Sequence, residues 1–203
     1  MKRIAAILIL VALVGLCVGR GSVSAATAKI RLTGKTIDLS SKTIEISNQA
    51  FTLEGKAHLA VTYASTTIKT GTMRLESMSA EKIEVQLARD AKGGQSPSKV
   101  AAIGGVIMKA KRADEEANRT DRPVTIFRDV HATAQTATTE SLENLVLKGN
   151  VVVKIMEPGI AEPVAVISGE TVRVSLKDNK IRVEGQSDKP AELTVTSKEG
   201  EEK

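Results

Sequence analysis

The chain has 203 residues, of which 29 are Lys or Arg and 24 are Asp or Glu, and its formal net charge is +5. It contains one Tyr, two Phe and no Trp, too few aromatic side chains for the stacking surfaces that bind single-stranded nucleic acid. Charges of both signs are mixed along the chain rather than clustered, which also argues against a nucleic-acid partner. The apolar residues are mainly Val, Ile, Leu and Ala, which suit a narrow aliphatic interior.

Residues 1–28 are predicted to be a secretory signal peptide. The basic pair Lys2-Arg3 precedes an apolar run that ends at Val18, and small residues follow, in the order typical of such signals. The run is shorter than the ~20 residues needed to span a bilayer, so we expect cleavage after Ala25 or Ala28. An uncleaved membrane anchor is the alternative. Cleavage would remove the only cysteine and three basic residues, and would reduce the net charge from +5 to about +2.

Short runs with alternating apolar residues fill the chain from residue 29 to residue 87. They recur about every ten residues and are rich in β-branched side chains, which is typical of an all-β fold. No segment of the mature chain has a convincing helical period. The alternating positions include Ile37, Leu39, Ile44, Ile46, Phe51, Leu53, Leu59, Val61, Ile83, Val85 and Leu87.

The middle of the chain is less regular. Residues 88–99 are predicted to be a polar turn region, and residues 111–122 are charged without an apolar period, which predicts a long exposed loop. Residues 123–131 are predicted to form a strand with Val124, Ile126 and Arg128 in one phase. Residues 132–140 are rich in Thr and Ala and are ambiguous, although a flat strand is one interpretation.

The stretch from residue 145 to residue 185 has the clearest pattern. Five of the six odd positions between Leu145 and Ile155 are apolar, so one face of the predicted strand is apolar. Two further alternating runs follow, separated by turns. The pattern therefore predicts an antiparallel meander with one apolar and one wet face.

A weak internal repeat links two of these strands. The segment 53–61 resembles the segment 147–155, because in both an apolar residue lies two positions before a glycine, Gly55 or Gly149, and alternation follows. Glycines at such positions mark bulges or bends. Repeated units of this kind bury a continuous face that no single unit buries alone.

Two segments carry a resemblance to a known family. Residues 147–153, Leu-Lys-Gly-Asn-Val-Val-Val, resemble the Gly-Asn-Val-x-Val strand of the LptA/OstA-like lipopolysaccharide-transport proteins, and residues 183–193 resemble the family's closing strand with its Pro-Ala pair. The resemblance covers residues 142–196 best and residues 29–87 more loosely. It implies an elongated, folded-over antiparallel sheet, a β-jellyroll or β-taco, over residues 29–197. A disordered tail at 198–203 completes the prediction.

The resemblance also implies a function. It implies a periplasmic protein that shields the acyl chains of lipopolysaccharide, or of a similar glycolipid, in an apolar β groove during export to the outer membrane. It implies partners among other Lpt-type envelope proteins, joined through sheet edges, and an end-to-end homo-oligomer. The residues expected to line the groove and bind lipid are Leu59, Val61, Leu147, Val151, Val153, Ile155, Val166, Val172, Val174, Ile181 and Val183.

Other functions have less support in the residues. His58 and His131 lie in separate strands without carboxylate or cysteine at metal-ligand spacing, so we expect no metal and no cofactor. No Ser/His/Asp arrangement is present, and an enzyme acting on polysaccharide would need clustered acids on one sheet face, so we expect no enzyme. Two alternatives remain open: a secreted structural or adhesive β domain with a filled core, and a membrane-anchored LptC-like component.

Overall fold

A computed structural model describes residues 26–32, 34–47, 49–89, 95–116, 124–141, 144–178, 180–185 and 191–195. Within these ranges the chain is all-β and contains no helix. Most of the predicted signal peptide and all of the predicted tail lie outside the described residues. The strands are β1 (Ala26–Leu32), β2 (Lys35–Ser41), β3 (Thr43–Ile46), β4 (Ala50–Tyr63), β5 (Thr72–Arg89), β6 (Gln95–Glu116), β7 (Val124–Ser141), β8 (Asn144–Met156), β9 (Ala165–Ser175), β10 (Lys180–Glu184) and β11 (Glu192–Val195).

All the strands belong to one open antiparallel sheet in the order β1-β2-β4-β5-β6-β7-β8-β9-β10. The two short strands β3 and β11 pair with β4 and β9. At the first end, β2 and β3 cover successive lengths of the same edge of β4. At the other end, β10 and β11 do the same for β9. The fold class predicted from the alternating runs is therefore confirmed.

A row of bulges crosses the middle of the sheet, and we call it the crease. One extra residue occurs on each of β4, β6 and β8, where the pairing register shifts against the neighbouring strands. In each case two consecutive residues have positive φ, a conformation that turns and twists a strand. The pairs are Gly55-Lys56, Gly104-Gly105 and Gly149-Asn150. The weak repeat seen in the sequence therefore corresponds to two of these three bulges.

The crease divides the sheet into two halves whose apolar faces pack against each other. Half A is the part of the sheet around Leu53, Ile83, Ala102, Ala137, Leu147 and Val172, and half B is the part around Leu59, Met78, Met108, Ala132, Val153 and Ile167. All of these side chains belong to one buried cluster. Far from the crease, the backbone N–H of Met73 in half B donates to the carbonyl of Leu176 beside half A, at 2.7 Å. The sheet is thus folded over on itself.

The opposite face of the sheet is mainly polar, as the alternation predicts, although Ile103 and Ile107 are exposed there. Lys29 lies 3.1 Å from Asp38, its cross-strand partner on β2. Lys82 lies 2.9 Å from both Glu84 and Glu54, and these carboxylates raise the pKa of Lys82 above its ordinary value. Exposed pairs of this kind contribute little stability, typically about 0–1 kcal/mol, so the fold depends on the apolar face.

The prediction of a long loop at 111–122 is wrong for residues 111–116, because β6 continues to Glu116, and residues 117–122 lie outside the described residues. Alternation is present there, but its inward positions hold charged residues instead of apolar ones. The prediction of a turn at 88–99 is also too long, because β5 ends at Arg89 and β6 begins at Gln95. Pro97 is accommodated beside a register shift between β5 and β6, where a missing N–H costs less.

The ambiguous segment 132–140 is part of a long central strand. Strand β7 runs from Val124 to Ser141 and pairs with β6 and β8. Its small inward side chains, Ala132, Ala134 and Ala137, are buried. At the N-terminal end of the described residues, β1 begins at Ala26, three residues before the domain boundary predicted at residue 29.

Candidate functional site

Most of the predicted lining residues face the interior between the two halves. Leu59, Leu147, Val151, Val153, Ile155, Val172 and Val174 belong to the buried cluster, and Val61, Ile181 and Val183 are partly buried and pack against it. Residues from four strands are therefore brought together on one apolar surface. Their predicted role in lipid binding remains a prediction.

Val166 does not face the interior, and its inward placement in the sequence prediction is wrong. On β9, Val166 pairs in register with Lys154, an exposed outer-face residue, whereas its neighbour Ile167 pairs with the buried Val153. The cause is the extra residue on β8, which shifts the register between the two strands at the crease. On β9, the inward-facing residues therefore have even numbers in half A, as at Val172, and odd numbers in half B, as at Ile167.

Close packing fills much of the interior. Leu147, Val153 and Val172 have 0% of their surface exposed. A void of about 100 Å³ remains between the halves, smaller than the roughly 300–1,000 Å³ of typical ligand pockets. The structure thus contains a largely closed slot with a small unfilled volume.

The void has a partly exposed side, which we call the N-terminal mouth. It is formed by the half-exposed lining residues Lys35, Val61, Tyr63, Leu75 and Leu176. Lys35 is in phase with the buried Ile37 on β2, so it is an inward-facing cation, and burial lowers the pKa of its amine. The mouth therefore combines an apolar surface with one positive charge.

Two hydroxyl groups border the void, and both have backbone partners. The Tyr63 hydroxyl donates to the Leu75 carbonyl at 3.1 Å, and the Arg74 guanidinium lies 4.9 Å from the centre of the Tyr63 ring. Burial raises the pKa of Tyr63, which the nearby Arg74 partly offsets. The Thr139 hydroxyl, deep in the interior, accepts from the Val100 N–H at 2.7 Å. Because Tyr63 and Thr139 are engaged in this way, their hydroxyl groups contribute to fixing the rim and floor of the void.

A second opening, the C-terminal cleft, lies at the other end of half B. It has a volume of about 380 Å³, and its lining comprises Arg112, Arg128, Ile155, Glu157, Val164, Ala165 and Val195. On β11, Leu193 and Val195 are 66% and 64% exposed. Both pair with inward positions of β9, Ile167 and Ala165. The interior face of half B is therefore uncovered at this end.

Charged side chains border the C-terminal cleft on the inward face of β6 and β7. Asp114 accepts from Arg112 at 2.7 Å and from Arg128 at 2.9 Å, and all three side chains are less than a fifth exposed. Arg112 and Arg128 are also register partners across the two strands. The position of Arg128 in phase with Ile126 agrees with the sequence prediction, but the cluster as a whole was missed because its partners are distant in sequence.

Lys35 was also missed, although a signal for it exists. It lies two positions before Ile37 and four before Leu39, so the apolar alternation of β2, extended backwards, places its side chain inward. A lysine at a position where the alternation of a strand calls for an apolar residue therefore indicates an inward-facing cation.

The histidines do not form a site with other ligating groups. His58 Nδ1 lies 2.7 Å from Ser79 Oγ on the outer face, and His131 is exposed. In the described part of the chain, no group of three or more His, Cys, Asp or Glu residues is arranged to hold a metal ion. Nor does that part contain a helix with the length and hydropathy to cross a bilayer.

No protein-family model matches the chain, and a comparison with curated proteins gives no match. Among solved structures, the crystal structure of LptH from Pseudomonas aeruginosa is similar over 79% of this chain and 95% of that chain, with 12% identity and a TM-score of 0.46. LptH is described as the LptA homologous periplasmic component of the conserved lipopolysaccharide transport device. At this identity and TM-score, the fold and site described above rest on the residues of this chain alone.

Proposed function

We propose that this protein is a non-catalytic periplasmic carrier that shields the acyl chains of lipopolysaccharide, or of a similar glycolipid, between the two halves of its sheet. One observation carries the proposal: among the described residues, the apolar interior is accessible at the N-terminal mouth and at the C-terminal cleft, where Leu193 and Val195 are exposed. A filled structural core has no need of such openings.

Loading of an acyl chain requires the halves to separate. The void of about 100 Å³ is too small for a glycolipid tail, so the ligand must replace part of the packing between the halves. Each methylene group removed from water contributes about 0.8 kcal/mol, which offsets the free energy needed to part the two apolar faces. Because the sheet is open rather than closed, the halves can move apart without breaking the strand ladder.

The ends of the sheet provide surfaces for partners. Strand β1 at one end, and β10 with β11 at the other, each pair on one side only among the described strands. Unpaired strand edges accept an added strand from another chain. This arrangement supports the proposed contacts with other envelope proteins and with further copies of the same chain.

The second candidate is a secreted structural domain with a filled core. The complete burial of Leu147, Val153 and Val172 favours it. In that case the two openings would be surface irregularities without a ligand.

A photo-crosslinking experiment distinguishes the two candidates. A photoreactive amino acid is placed at Val61, an inward residue of the N-terminal mouth, and in a matched variant at the adjacent, outward and exposed Thr62. Both variants are produced with the full chain in a host that makes lipopolysaccharide. We expect a lipid adduct at position 61 and none at position 62. Absence of an adduct at both positions, together with no lipid in an organic extract, would favour the structural domain.

A further inference from the structure

Lys35 differs from the other inward-facing cations. Arg112 and Arg128 also lie on the inward phase of their strands, but each donates to Asp114. The Lys35 amine forms no ion pair with any carboxylate in the described ranges of the chain. A half-buried charge without a counter-ion is unfavourable, and burial accordingly lowers the pKa of Lys35.

The position of this charge relative to the void is specific. Lys35 borders the void together with Ile37 from its own strand and with Val61 and Tyr63 from β4, in which Tyr63 is its register partner. Among the described residues that line the void, Lys35 alone carries a charge, and the others are apolar apart from Tyr63 and Thr139. An apolar volume with one cation at its exposed side is complementary to an acyl chain that ends in an anion.

We propose that Lys35 holds the anionic group, a phosphate or a carboxylate, of an acylated ligand whose chain enters the void between the halves. This inference rests on the proposed carrier function and specifies how the ligand is oriented: tail inward, anion at the N-terminal mouth. The amine donates up to three hydrogen bonds to the anion, and such charge-assisted bonds are stronger than those between neutral groups. Binding of the anion would also supply the counter-ion that Lys35 lacks.

The test compares three amphiphiles with the same twelve-carbon chain. Dodecyl phosphate and dodecanoate represent the two possible anions, and dodecyl maltoside is the neutral control, each titrated below its micelle concentration by calorimetry. For the wild-type protein we expect the affinity for the tighter-binding anion to exceed the affinity for the neutral amphiphile by at least about tenfold, the lower end of the range for one hydrogen bond to a charged group. The anion that binds more tightly shows whether Lys35 prefers a phosphate or a carboxylate.

Three variants assign this preference to Lys35. Lys35→Met should bind both anions as weakly as the neutral amphiphile, whereas Lys35→Arg should retain the preference. Lys29→Met, which removes an outward lysine on the adjacent strand, should behave as the wild type. Thermal unfolding checks that Lys35→Met is folded, and we expect an unchanged or higher midpoint because a desolvated charge is removed.

The other outcomes are distinct. If Lys35→Met retains the preference for anions, or binds all three ligands more weakly by the same factor, the role proposed for Lys35 is wrong while the carrier function stands. If none of the amphiphiles binds to the wild-type protein, neither the orientation nor the carrier function is supported.

Discussion

The contrast between Val153 and Val166 shows how strongly the environment determines the contribution of a residue. Both are valines in neighbouring strands, but Val153 has 0% exposure, whereas Val166 is half-buried on the outer face and outside the main core. We expect Val153→Ala to lower the free energy of unfolding by about 2 kcal/mol, through the transfer energy of two methyl groups and the cavity they leave. For Val166→Ala the expected reduction is about 0.5 kcal/mol.

Urea denaturation of the two variants measures this difference directly. The midpoint should fall clearly for Val153→Ala and little for Val166→Ala, with unchanged slopes. Equal destabilisation of the two variants would mean that Val166 packs inward and that the register at the crease differs from the one described.

The same two residues show what the sequence can and cannot predict. On β8, inward residues such as Leu147 and Val153 stay in one phase, because the strand that carries the extra residue keeps its alternation. On β9, Val166 and Val172 are both at even positions, so a single alternation along the strand would place them on the same face. Val166 nevertheless faces outward. The cause lies in the partner strand, so no pattern within β9 reveals it. Pairing across strands, rather than local propensity, limits prediction here.

At the scale of elements, β6 and β7 are joined by charges on both of their faces. On the inward face, Asp114 binds Arg112 and Arg128, with side chains less than a fifth exposed. On the outer face, Lys111 lies 3.7 Å from Asp129, and both side chains are more than a third exposed. These two sites therefore offer a matched comparison on the same strand pair.

We expect Asp114→Asn to lower the free energy of unfolding by about 2–3 kcal/mol, because two desolvated guanidinium groups lose their shared counter-ion. Asp129→Asn should cost less than about 0.5 kcal/mol. Chemical denaturation of both variants, at low and at moderate salt, checks the difference. Equal effects would indicate that the inward cluster is as well solvated as the outer pair.

These charges also explain why the sequence predicted a loop at 111–122. A strand is recognised by apolar residues at alternate positions, and β6 places Arg112 and Asp114 at the positions where apolar residues are expected. The compensation comes from Arg128 on another strand. The strand prediction at 123–131, by contrast, had Val124 and Ile126 to indicate its phase.

The pairing of strand β1 allows a prediction of where the signal peptide is cleaved. Ala26 pairs with Ser41, and Ala28, which is 9% exposed, pairs with Leu39. Cleavage after Ala28 would remove these pairs, so we predict that the mature protein begins at Ala26. Intact mass of the secreted protein measures this. A mass that corresponds to a start at Lys29 would contradict the prediction, and retention of the segment 1–25 would favour the membrane-anchored alternative.

At the scale of the whole molecule, the carrier proposal requires the two halves to separate far from the crease. The hydrogen bond from Met73 to Leu176 joins them there at 2.7 Å. A disulfide at this position would hold the halves together, and the backbones are close enough for one to be engineered. The mature chain is predicted to contain no cysteine, so the engineered pair has no competitor.

We expect the oxidised Met73→Cys, Leu176→Cys double variant to be more stable than its reduced form, because the disulfide joins the two halves, and to lose most of its lipid adduct in the crosslinking assay at position 61. Reduction should restore the adduct. Each single cysteine variant is the control for the substitution itself, and its loading should be the same under oxidising and reducing conditions. Undiminished loading of the oxidised protein would show that acyl chains enter without separation of the halves at this point.

The crease has a consequence for how such a sheet can change in length. Its extra residues are placed on every second strand, β4, β6 and β8. Insertion or removal of a complete hairpin, which has two strands, preserves this spacing. Insertion or removal of a single strand would instead place two bulged strands, or two strands without a bulge, next to each other and would interrupt the bend. Duplication or deletion in this architecture should therefore proceed by hairpins, and shorter or longer natural versions should differ by an even number of strands.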